Sequence, residues 1–326
     1  MGTDAGKPPR FRRLALGAIF MAAAAGLTAA APADALARSR HPHVTRHHAT
    51  RHHVKRHHAP RRAPGIEGPR YGAIVIDAAT GRVLYENGAD KKLHPASMTK
   101  IMTLLLVFDA LKDKRLTLDQ EITVSPHANS MPPTKLGLGA GAKIRVEDAI
   151  LALVTESAND IAAALGEALG GTEENFARLM TQRAAGLGMA DTTFRNASGL
   201  PDPDNISTAR DMAKLAAYVI ETYPTYYKYF STRSFTYKGR AHRNHNNLMR
   251  RFPGMDGIKT GFINASGFNL AASAVRGSDR VIAIVFGGPN ARIRDNKAEE
   301  LLNLGFRELH RLHRLPPKKP DTPKPS

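Results

Sequence analysis

The order of segments along this chain predicts an α+β fold, a mainly antiparallel sheet covered by helices together with a helical lobe. Three observations lead there. Strand-like runs stand at both ends of residues 71–315, helical runs fill the middle, and no linker-like stretch interrupts them. Residues 71–77 and 82–85 are apolar runs separated by Ala78-Ala-Thr-Gly81, which reads as a hairpin. Pro95 then suits the first position of a helix. From Ile101 to Leu111 that helix is apolar on nearly every face, the mark of a central, buried helix. Residues 146–154, 159–169 and 173–187 are further helical stretches, and Thr208-Ala-Arg-Asp211 is a capping signal for one that runs to Thr222. Residues 235–237, 257–263, 268–275 and 280–286 read as strands, the last two joined by the turn Arg276-Gly-Ser-Asp279. A closing helix spans about 295–312.

The extensions differ in kind. Residues 1–37 carry Lys7, Arg10, Arg12 and Arg13, an apolar run from Leu14 to about Ala31, and the small-residue sites Ala33-Asp-Ala35 and Ala35-Leu-Ala37. That pattern is a secretory signal with a cleavage site, and the Ala-rich run argues against an uncleaved anchor. Residues 38–70 repeat Arg-His-His at Arg46, Arg51 and Arg56 among several prolines, so little there can be buried and a disordered linker is expected. Eight of the fourteen histidines lie in it. They suit a pH- or metal-responsive tether, though a plain tether is the simpler reading. Residues 316–326 form a Pro/Lys tail, too short and polar to anchor in a membrane.

The net charge of +18 divides unevenly. Residues 1–70 hold 13 Lys/Arg against 3 Asp/Glu, whereas residues 71–315 hold 31 against 25 and are only mildly basic. A nucleic-acid partner therefore loses its support, and the basic linker points to an anionic envelope surface. There are no cysteines. A domain of about 250 residues has core enough to fold without disulfides, so their absence does not define the compartment.

Three short motifs carry the chemistry: Ser97-Met-Thr-Lys100, Ser157-Ala-Asn159 and Lys259-Thr-Gly261. In this order, about 60 and 100 residues apart, they form the Ser/Lys nucleophile set of acyl-transfer enzymes. Ser97 and Lys100 share a helix face one turn apart. A serine hydroxyl needs a base, and a lysine serves only if burial and a second cation lower its pKa. Lys259 is the candidate cation. Ser157 suits proton relay to a leaving amine, and Asn159 offers a donor and an acceptor, to Lys100 and to a substrate amide. Gly261 inside a strand marks close approach of another backbone, so the strand edge can pair with an extended peptide, with Lys259 and Thr260 facing its carboxylate. The backbone N–H groups of Ser97 and Phe262 would converge as an oxyanion hole. His94, His127, His242, His245, His310 and His313 show no metal-ligand spacing with neighbouring acids, and His242 with His245 reads as part of a hydrogen-bonded hairpin. The chemistry implied is free of cofactors.

With these motifs stand His94-Pro-Ala-Ser-Met-Thr-Lys100, Glu156-Ser-Ala-Asn-Asp160, Asn196-Ala-Ser-Gly-Leu-Pro201, Asp256-Gly-Ile-Lys-Thr-Gly-Phe262 and Ala265-Ser-Gly-Phe-Asn-Leu270. Over about 71–312 the chain resembles the low-molecular-mass penicillin-binding proteins, the serine-type D-alanyl-D-alanine carboxypeptidases. The resemblance implies the penicillin-binding fold, Ser97 as nucleophile, Lys100 as base, and peptidoglycan stem peptides as substrate with β-lactams as covalent inhibitors. It also implies an arginine beyond the final strand for the substrate's terminal carboxylate, matched by Arg294 ahead of Arg292. Ile263 replaces a small hydroxyl residue usual in the family. Many members continue into a β-rich second domain and an amphipathic anchor, and those without them include endopeptidases that cut cross-links. The implied activity is thus removal of the terminal D-alanine, with cross-link cleavage or non-catalytic peptidoglycan binding as alternatives. A class A β-lactamase would need a glutamate in the loop after the second motif, and none lies between Glu174 and Glu221.

Overall fold

One antiparallel sheet organises the molecule, in the strand order β2-β1-β9-β8-β7. It is built from β1 (Gly72–Asp77), β2 (Val83–Asn87), β7 (Met255–Ile263), β8 (Gly267–Arg276) and β9 (Asp279–Gly288). The computed structural model describes residues 66–314, so the signal, most of the linker and the Pro/Lys tail lie outside the described residues. Strands near both ends of the described chain thus meet in one sheet, with β1 paired to β9 from Gly72↔Phe286 to Asp77↔Val281. This is the α+β fold expected.

Alternation along the strands gives the sheet two apolar faces. Ala73, Val75, Val281, Ala283 and Val285 face α8 (Ala291–His313) through Leu301, Leu302 and Phe306. Ile74, Ile76, Ile282, Ile284 and Phe286 belong to the larger core shared with the helices inserted between β2 and β7. Burial of each such aliphatic side chain contributes roughly 1.5–3 kcal/mol. Ile66 packs into the α8-side core, although it falls in the stretch expected as linker.

The inserted lobe surrounds α1 (Lys100–Lys112), ten of whose thirteen residues are buried. An all-round apolar helix needs partners on every side. Here α3 (Val146–Thr155), α4 (Asn159–Gly170), α5 (Glu173–Gly186) and α6 (Ala209–Thr222) complete the lobe. Thr208 caps α6 as expected, its side chain accepting from Asp211 N. Smaller pieces are α2 (Pro126–Ser130), α7 (Pro224–Tyr227) and two ribbons, β3 (Glu121–Thr123) with β4 (Lys143–Arg145) and β5 (Ser234–Tyr237) with β6 (Arg240–Arg243).

Two local differences from the sequence reading matter for the site. Pro95 does not start the α-helix. It caps a 3₁₀ turn, Ala96–Thr99, that leads into α1. The closing helix begins at Ala291, because Asn290 caps it by accepting from Ile293 N at 2.9 Å. Arg294 therefore lies in the first turn of α8, beside the sheet.

Candidate active site

The 3₁₀ turn eclipses side chains three apart, so Lys100 Nζ lies 3.2 Å from Ser97 Oγ. Ser97 is half-buried and lines a cleft of about 770 Å³. Lys100 is wholly buried. Its amine also donates to Asn159 Oδ1 and to the Ser198 carbonyl, each at 2.7 Å. Three acceptors thus hold one amine in place at the foot of the nucleophile.

Ser157 and Asn159 sit where α3 gives way to α4. Ser157 takes a left-handed conformation, φ 62°, to make that corner. Its Oγ is buried with no hydrogen-bond partner among the described residues. It lines the cleft without a hydrogen bond to Lys100 or Ser97. Asn159 meets Lys100 as the sequence reading expects, and one of its two N–H donors is used within the protein. Its oxygen accepts from Lys100, and its amide nitrogen donates one N–H to the Pro132 carbonyl at 2.9 Å, which leaves a second N–H.

The third motif lies on β7, the strand at the sheet's edge. A Cβ at Gly261 would lie 2.8 Å from Pro95 O and 3.1 Å from Ser97 N, so glycine is what lets this strand press against the 3₁₀ turn. Asn269 on β8 locks the turn's approach by donating to the carbonyls of His94 and Pro95 at 3.0 and 3.3 Å. Thr260, Gly261, Phe262 and Ile263 line the cleft, while Lys259 is buried and donates to the Thr260 carbonyl.

Arg294 reaches the same cleft, as expected, but not as an open fork. Its Nε donates to Asp295 Oδ1 at 2.8 Å and its Nη1 to the Asn269 carbonyl at 2.7 Å, which leaves Nη2 for another partner. Arg292 is exposed and does not line the cleft.

Burial and crowding of cations shift the titrations. Lys100 is pushed well below its ordinary value by burial, then by the charge of Lys259, against the opposing fields of Glu173 and Asp160. Lys259 is lowered to about 7 by burial and by Arg294. Burial also lowers Arg294, which Asp295 partly offsets.

Several site features were not singled out from sequence. The Ser198 carbonyl is held in place by Asn196, whose Oδ1 accepts from the amides of Ser198, Gly199 and Leu200. Gly199 passes so near Ala96 that a Cβ would fall 1.9 Å from its carbonyl oxygen. The repeated small and Asn residues there were quotable only as motif. His242, on β6, and His245, beyond it, separate. His242 bonds Glu156 at 2.8 Å, whereas His245 lines the cleft, its pKa lowered by burial and by Lys259.

With a serine, a buried lysine and an open strand edge at one cleft, comparison with known proteins becomes specific. The family model for Peptidase S11, D-alanyl-D-alanine carboxypeptidase, matches residues 62–290. The chain belongs to this family. It is 38% identical over 252 residues to the D-alanyl-D-alanine carboxypeptidase DacC of Escherichia coli, a match covering 75% of this chain and 62% of that one. The chain thus spans less than two thirds of that relative's length. Among solved structures, the D-alanyl-D-alanine carboxypeptidase DacD of Francisella tularensis superposes with a TM-score of 0.70 at 30% identity, over 74% of this chain and 71% of that one. Penicillin-binding protein D2 of Listeria monocytogenes, in its cefotaxime-bound form, gives 0.67 at 32% identity, over 74% and 99%.

Proposed function

We propose that the chain is a serine-type DD-carboxypeptidase that removes the terminal D-alanine from peptidoglycan stem pentapeptides through an acyl-enzyme on Ser97. The observation that carries this reading is the wholly buried Lys100 amine at 3.2 Å from Ser97 Oγ. Burial, and then the charge of Lys259, lower the pKa of Lys100 and so favour its neutral amine. The neutral amine takes the Ser97 proton as Oγ attacks the carbonyl carbon of the scissile amide. The N–H groups of Ser97 and Phe262 receive the oxyanion. Ser157, whose hydroxyl has no hydrogen-bond partner among the described residues, passes a proton to the leaving amine of D-alanine. Water then opens the ester and restores Ser97.

The substrate lies as an added strand along β7, the edge strand of the sheet among the described residues. Its terminal carboxylate meets Thr260, the Lys259 cation and Arg294 Nη2, and Asn159 orients Lys100. β-Lactams enter the same way and stop at the ester, in keeping with the cefotaxime-bound form of the Listeria protein. The basic signal-like start of the chain supports export to the periplasm or cell envelope, with residues 71–315 as the peptidase domain and 38–70 tethering it to an anionic surface. No helix among the described residues is long and apolar enough to cross a membrane.

Digesting a purified pentapeptide and cross-linked muropeptides side by side tests the reading. Release of D-alanine from the pentapeptide with intact cross-links is the expected result. Cleavage of cross-links with the pentapeptide untouched would make the chain an endopeptidase.

A further inference from the structure

Glu173 is a buried carboxylate that the reaction above does not use. It is the first residue of α5, where an acid ordinarily complements the helix dipole. Its exposed neighbour Glu174 suffices for that. Glu173 instead turns inward and is 7% exposed. Its Oε1 accepts from Ala197 N at 2.9 Å, and its Oε2 meets His127 Nε2 at 2.7 Å.

These contacts converge on the loop that holds the base. The Ala197 carbonyl accepts from Thr103 Oγ1 at 2.6 Å, and Thr103 stands on α1 one turn beyond Lys100. The next carbonyl, Ser198 O, accepts from Lys100 Nζ. One peptide segment is therefore clamped by Glu173 on one side and by α1 on the other. At the far end of the carboxylate, the His127 side chain is 48% exposed and meets solvent.

We propose that Glu173 is a positioning residue for Lys100, and that His127 is the solvent-facing partner that sets how much of its negative charge the buried amine feels. The inference rests on the reading of Lys100 as the base. The charges around the device are accounted for on each side. Lys100 is faced by Lys259, Glu173 and Asp160, and its charge also reaches His245. His127 is faced by Glu173, Glu167 and Glu174, and its hydrogen bond to Glu173 raises its pKa.

The signs follow from Coulomb's law. A negative Glu173 favours the protonated form of Lys100 and so makes the base harder to free. Glu173→Gln removes the charge while its amide oxygen can still accept from Ala197 N. Lys100 then loses its proton at lower pH. His127→Gln removes the partner that, when protonated, offsets the charge of the carboxylate, so Lys100 is freed only at higher pH.

The experiment is the pH dependence of acylation of the full chain by a fluorescent penicillin, for wild type and both variants. The acidic limb should move down in pH for Glu173→Gln and up for His127→Gln, each by roughly half to one pH unit. That is about threefold to tenfold in rate at a fixed pH on the limb. A merely structural role would scale the rate at every pH and leave the limb in place. Limbs unmoved in the folded variants, or moved in the same direction, would overturn the proposal. Should Glu173→Gln not fold, the half-exposed His127→Gln decides alone, by an upward shift or its absence. A wild type that takes no label would defeat the reading of the active site and this inference with it. A labelled wild type with unmoved limbs would defeat only the inference.

Discussion

The seam between the sheet and α8 and the seam that walls the cleft between β7 and α1 both bury their side chains, yet they are made of opposite materials. The first joins Val75, Val281 and Val285 to Leu301, Leu302 and Phe306, side chains with no polar atoms to satisfy. The second encloses Lys100, Asn159, Lys259 and Arg294, each at most 5% exposed. Burying an uncompensated charge is costly, so such groups must be paired, hydrogen-bonded or neutralised. Lys100 has three acceptors and a strongly lowered pKa, and Arg294 has Asp295 and the Asn269 carbonyl. The comparison teaches that the α8 seam contributes stability, while the α1 seam lowers the pKa of the two lysines it encloses.

The contrast can be broken from either side. Lys100→Arg should have the largest effect, because arginine stays charged and cannot accept the serine proton. Acylation by penicillin should fall by about a hundredfold to ten-thousandfold, with the circular dichroism spectrum retained. If Lys100 is the base as proposed, kcat/KM of the wild type should fall on acidification, because Lys100 gains its proton as pH drops through its lowered pKa.

Leu302→Ala attacks the other seam. The side chain is fully buried against the sheet, so its loss should cost roughly 2–5 kcal/mol in urea unfolding. The acylation rate of the folded protein should be unchanged. A variant slowed in chemistry as much as Lys100→Arg would erase the distinction between the two seams.

Arg294→Ala sharpens it at the junction where α8 enters the cleft. A charge-assisted hydrogen bond of roughly 1.5–3 kcal/mol should vanish, which is about tenfold to a hundredfold in kcat/KM. The measurement pairs a D-Ala-D-Ala peptide with its C-terminal amide, so that any disturbance from leaving Asp295 without its partner appears in both. A selective loss on the free carboxylate is expected. Equal losses would make Arg294 a structural residue of the α8 seam.

Much of this was legible in the sequence, for physical reasons that differ by residue. Residues 101–111 announced a buried helix because no polar face was available for solvent, and Lys100 at its edge was conspicuous for that reason. Gly261 was readable as a point of backbone contact, and Pro95 O and Ser97 N are what it contacts. The start of α8 was missed because the Asn290 cap precedes a charged turn, with no apolar periodicity until later. Asn159's engagement with Pro132 and Arg294's with Asn269 could not be read from spacing, since each depends on a carbonyl from a distant element. The same holds for the Ser198 carbonyl. Backbone acceptors carry no side-chain signature, so a sequence motif shows the loop but not the atom it presents.

The central claim is that the Ser97 hydroxyl, activated by Lys100, becomes covalently acylated. Intact mass spectrometry of wild type and Ser97→Ala after incubation with benzylpenicillin tests it most directly. The wild type should gain one drug mass, retained on a peptide containing Ser97, and the variant should gain none. An adduct that persists on Ser97→Ala would place the nucleophile elsewhere and contradict the account.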